Sequence, residues 1–83
     1  ATPLFVDVDP ATLLVTPEAI AAAATPRCRA IVAVHLYGQP VRIEAIRATA
    51  DRLGLALVED CAHAHGLRIG DRHAGTFGVV GCF

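Results

Sequence analysis

The sequence predicts an α/β fold in which alternating strands and helices form part of a mainly parallel sheet. Three observations carry this expectation. Ala30-Ile31-Val32-Ala33-Val34-His35 and Leu55-Ala56-Leu57-Val58 are continuous apolar runs, the pattern of strands covered on both faces. Between them, Ile43, Ile46, Ala50 and Leu53 recur at helical spacing, while Arg42, Glu44, Arg47, Asp51 and Arg52 occupy the other side. The order strand, helix, strand implies a right-handed crossover between parallel strands.

Taken in chain order, Leu4-Phe5-Val6 runs into Asp7-Val8-Asp9-Pro10, an apolar run stopped by acids and a proline, and predicts a short strand over 4–8. Thr16-Pro17-Glu18 supplies an N-cap, a proline at the first helical position and an acid in the first turn. A short helix through Ala24 follows, closed by Thr25-Pro26. The strand at 30–35 ends on His35, and Tyr37-Gly38-Gln39-Pro40 is a turn. The second helix spans 41–53 with Gly54 as its C-terminal cap. The strand at 55–58 ends in Glu59-Asp60; Leu67-Arg68-Ile69 is a short strand, Gly70-Asp71-Arg72 a turn, and residues 78–83 a last strand. Asp7 or Asp9, His35 and Asp60 would then end three strands at one edge of the sheet, where open α/β sheets bind ligands.

Composition narrows the classes. The 83 residues are 54% hydrophobic, with mean hydropathy +0.52 and neither Trp nor Met, the make-up of a buried core. A domain this small buries only about 60% of its unfolded surface, so the chain reads as a fragment of a larger domain, without an internal boundary. A net charge of -1 from scattered residues provides no footprint for nucleic acid or an anionic membrane. No apolar stretch is long enough to span a bilayer and no signal-peptide pattern opens the chain. Cys28, Cys61 and Cys82 form no CxxC pair and are odd in number, which suits a reducing, cytoplasmic compartment.

Reactive side chains concentrate in Val58-Glu59-Asp60-Cys61-Ala62-His63-Ala64-His65-Gly66. Four readings compete. A metal site wants spaced ligands, but His63 and His65 are two apart and diverge on a helix. A Cys61 nucleophile wants an activated thiolate and an oxyanion hole, and no Gly-rich elbow surrounds it. A purely structural cluster would have Asp60 capping the turn, both histidines bonded to backbone and Gly66 making the corner. Finally, an acid at the tip of a central parallel strand, with an imidazole three residues on, suits the protonated ring nitrogen of pyridoxal phosphate (PLP). Taken singly, His35 reads as a satisfied core histidine, and His73 and Cys28 as surface and packing residues.

The segments PLFVDVDPATL (3–13), AIVAVHLYGQP (30–40), VEDCAHAHG (58–66) and GDRHAGTFGVVGCF (70–83) together resemble the DegT/DnrJ/StrS family of PLP-dependent sugar aminotransferases, of fold type I, in order and spacing. The resemblance implies a piece of the PLP-binding large domain. It implies that Asp60 pairs with the pyridinium nitrogen and that His63, where many members have Gln, reaches the cofactor 3-oxygen. His35 and Tyr37 would lie near the same pocket, with Cys61 and His65 as packing and turn residues. It further implies a nucleotide-linked keto sugar as acceptor, glutamate as amino donor and a homodimer. Members continue from the GCF-like segment into a phosphate-binding Ser and the Schiff-base Lys. This sequence ends at Phe83 and contains no Lys, so the 83 residues are expected to be inactive alone. A sugar dehydratase of the same fold, with His in place of that Lys, is the near alternative; a metal-binding or structural module is the distant one.

Overall fold

Helix α1 (Pro17–Ala23) begins as its sequence dictates. Thr16 is extended and its hydroxyl accepts the Ala19 N–H at 3.1 Å, while Pro17 occupies the first helical position. In the computed structural model, which describes residues 1–83, the chain continues through β1 (Ala30–Val34), a 3₁₀ turn (Leu36–Gly38), α2 (Ile43–Leu53), β2 (Ala56–Asp60), β3 (Arg68–Ile69), β4 (Arg72–His73) and β5 (Val80–Cys82). Helix α2 ends at Gly54, whose φ of 68° is the left-handed conformation that closes a helix and that glycine adopts without a Cβ penalty.

Strands β1, β2 and β5 form one parallel sheet with β2 in the centre. Its rows are fixed by register: Val32, Val58 and Val80 are neighbours, and Val34, Asp60 and Cys82 form the next row. β3 and β4 make a separate two-stranded antiparallel hairpin. Ile20 of α1 and Ile43, Ile46 and Ala50 of α2 pack with Ile31, Ala33, Leu57 and Phe77 into a single core on one face of the sheet. Removing that apolar surface from water is the main force holding helices to sheet.

The α/β class and the parallel sheet therefore stand, while three local expectations are corrected. Residues 4–8 form no strand: they have no neighbour to pair with, and Phe5 is 89% exposed. The long apolar runs are covered on one face only, because no element packs on the other; Val32 is 62% and Val34 39% exposed. Strand β2 ends in Glu59 and Asp60 as expected, starting at Ala56. Arg72 belongs to β4, and the last strand starts at Val80, after a loop over 74–79. Asp7 and Asp9 consequently do not join His35 and Asp60 at a sheet edge; Asp9 instead caps its own turn, accepting from Ala11 N–H and Thr12 N–H.

Candidate functional site at the end of the central strand

Side chains alternate across a strand, and at the end of β2 this separates two adjacent acids. Glu59 follows Leu57 onto the helix-covered face and is 0% exposed, whereas Asp60 follows Val58 onto the uncovered face and is half-buried.

Asp60 Oδ1 accepts the Ala62 N–H at 3.0 Å, and Oδ2 has no partner within the chain. One oxygen thus fixes the turn, and the other is free to accept. The backbone then makes two successive turns, with Ala64 N–H bonded to Cys61 O and Leu67 N–H to Ala64 O. His63, exposed on the first, stacks on Tyr37 with ring centroids 5.6 Å and planes 5° apart. Its Nδ1 accepts the Tyr37 N–H at 3.3 Å, which leaves the proton on Nε2. Tyr37 is a non-glycine residue at φ 55°, ψ 26°, a left-handed conformation costing about 1 kcal/mol or more.

Glu59 was not singled out by sequence reasoning, although its parity with Leu57 predicts that it points inward. Its Oε1 accepts the N–H groups of Phe77 and Gly78, each at 2.6 Å; its Oε2 accepts the Gly75 N–H at 2.8 Å and His35 Nε2 at 3.1 Å. Burial raises the pKa of such a carboxylate, but the donors, the amides of Gly78 and Gly75 foremost, outweigh it and hold Glu59 below the usual carboxylate value. His35 is equally buried, and its Nδ1 accepts the Val41 N–H at 3.3 Å. His35 and Asp60 therefore end neighbouring strands but face opposite sides of the sheet.

His35, Glu59 and Cys61 are the one group of three candidate metal ligands, with donor atoms within 4.8 Å of one another. Their chemistry does not suit a cation: both Glu59 oxygens are filled by N–H donors, His35 presents a proton, and burial pushes the Cys61 thiol up, helped by the charges of Glu59 and Asp60. A buried thiol with a raised pKa is also the wrong state for a nucleophile. Cys61 packs instead with Ala64 and Ala74. His65 lies edge-on to Phe83, 5.5 Å between centroids, and His73 Nε2 accepts the Gly66 N–H at 3.1 Å. Half-buried Cys28 meets Thr25 through its Sγ.

Asp60 thus leaves an unfilled carboxylate oxygen at the tip of the central parallel strand, with an imidazole in the turn beyond it, at the edge where open α/β sheets bind ligands. The chain belongs to the DegT/DnrJ/EryC1/StrS aminotransferase family, whose model matches residues 1–83. It is 51% identical over all 83 residues to the L-glutamine:2-deoxy-scyllo-inosose aminotransferase of Streptoalloteichus tenebrarius, of which it covers 20%. Among solved structures, the aminotransferase from Psychrobacter cryohalolentis superposes with a TM-score of 0.93 at 48% identity, over 98% of this chain and 20% of that one. DesI, solved in the presence of its TDP-sugar product, superposes with a TM-score of 0.85 at 47% identity, over 93% of this chain and 20% of that one. The fold is accordingly that of fold-type-I aminotransferases, and the chain spans about a fifth of the length of these relatives.

Proposed function

We propose that the chain is the central part of the PLP-binding large domain of an aminotransferase that transfers an amino group, from glutamate, to a keto group on a nucleotide-linked sugar. The observation that carries this is the free Oδ2 of Asp60 at the end of β2, beside a turn in which His63 keeps Nε2–H to donate. That pair, an anionic acceptor and a neutral donor, fits a protonated pyridine nitrogen and a neighbouring ring oxygen. When bound, PLP supplies an electron sink for the carbanion formed at the substrate carbon. Asp60 keeps the ring nitrogen protonated by charge, its orientation set by the Ala62 N–H. His63 donates from Nε2, its tautomer and plane set by Tyr37. Identity to a family member crystallised with a TDP-sugar supports the nucleotide carrier.

The name of the S. tenebrarius relative favours a second reading for donor and acceptor, in which glutamine aminates a carbocyclic ketone. Assaying the full-length protein with glutamate and glutamine against a dTDP-linked keto sugar and an inosose separates the two. Amination of neither acceptor, in a protein that binds PLP, overturns both. A homodimer in the cytoplasm is the expected state; no helix in the chain is long and apolar enough to cross a membrane.

A further inference from the structure

We propose that Glu59 is a positioning residue: from beneath the sheet it holds the Gly75–Gly78 loop, and through it β5, where the Asp60 edge needs them for its ligand. The inference rests on the PLP-binding reading above. Glu59 gathers four donors from two segments remote in sequence, three loop amides and His35, onto one fully buried carboxylate. The loop it holds leads straight into β5. Val79 N–H bonds Leu57 O at 2.7 Å, Gly81 and Cys82 pair with Glu59 and Asp60, and Cys61 N–H bonds Cys82 O at 2.7 Å. Cys82 is thereby set beside Asp60, and Phe83 against His65 and His73. Arg47 and Arg72 grip the same loop from outside, through Phe77 O and Thr76 O. Arg47 is half-buried and Arg72 exposed, whereas the Glu59 carboxylate holds the loop amides from the buried side.

Glutamine at position 59 keeps the shape and breaks the anchor. Its NH2 must face either the Phe77 and Gly78 amides or the His35 Nε2–H, donor against donor. His35 cannot relieve this by changing tautomer, because its Nδ1 already accepts from Val41. His35→Asn is the milder variant: it offers an acceptor to Val41 and removes one of the four donors.

The test uses the full-length protein as wild type, Glu59→Gln, His35→Asn and Asp60→Asn, with two readouts. These are hydrogen exchange over residues 75–82 without PLP, and PLP affinity by absorbance titration. In Glu59→Gln, exchange at 75–78 rises about tenfold or more and PLP affinity falls by a similar factor, while exchange in α2 stays at wild type. His35→Asn moves both in the same direction, about two- to fivefold; if Glu59→Gln does not fold, this variant decides. Asp60→Asn changes PLP binding and leaves loop exchange alone. Unchanged loop exchange in the anchor variants overturns the proposal. So does a loosened loop with PLP affinity within about twofold of wild type, since Glu59 would then serve only the fold. Wild-type protein that binds no PLP overturns the functional reading, and the positioning role with it.

Discussion

Glu59 and Asp60 are chemically similar neighbours with opposite surroundings, and the pleat of β2 makes them so. Glu59, saturated by four donors, is a group whose folded pKa lies below its ordinary value of 4.5. The stability it contributes is therefore present above about pH 4.5 and is lost as pH falls through the lower folded value. Glu59→Gln should remove that acid-limb dependence and cost about 3 kcal/mol at neutral pH, because buried amides lose a charged acceptor. Denaturant unfolding of the full-length variant from about pH 3 to about pH 7, a range that spans carboxylate titration, checks both parts; a variant as stable and as pH-dependent as wild type contradicts them. The position of Asp60 at the strand tip was legible in the sequence, because the apolar run before it marks the strand. The role of Glu59 was not, since it depends on a loop sixteen or more residues later folding back onto it. The Tyr37–His63 stack was hidden for the same reason: its partners come from different turns.

At the scale of elements, local signals sufficed where an element is stabilised locally. Thr16-Pro17-Glu18 marked α1 and Gly54 closed α2, because caps act within a few residues. Residues 4–8 failed as a strand because strand pairing is not local, and no neighbour is present. Leu67-Arg68-Ile69 marked β3, whereas β4, two residues long, is too short for periodicity to mark. The strand β5 depends on a glycine for a different reason from α2. A Cβ on Gly78 would lie 2.4 Å from Leu57 O, a backbone atom that cannot yield, whereas one on Gly54 meets nothing within 4 Å and suffers only its φ of 68°. Gly54→Ala should cost about 1 kcal/mol by conformational strain. Gly78→Ala should cost about 2 kcal/mol or more and displace β5 from β2. Thermal unfolding of the two full-length variants ranks them; equal losses would contradict the close packing of the loop on β2.

Over the whole molecule, the two faces of the sheet are unlike. One carries the core beneath α1 and α2, the other leaves Val32, Val34 and Val80 open together with Asp60 and Cys82. An apolar face of this kind marks a surface that another part of a protein covers. The isolated 83 residues should therefore self-associate or bind a hydrophobic dye, and, containing no Lys, should form no lasting covalent absorbance band with PLP. Light scattering and a PLP titration read these outcomes; a monodisperse chain that holds PLP covalently contradicts them. Whether Asp60 pairs with a cationic cofactor nitrogen is decided by an absorbance titration of full-length wild type and Asp60→Asn with PLP, alongside metal analysis. With that pairing, Asp60→Asn shifts the cofactor band and weakens PLP binding about tenfold or more, in a protein free of bound metal. An Asn variant with unchanged band and affinity, or stoichiometric zinc in the wild type, would contradict it.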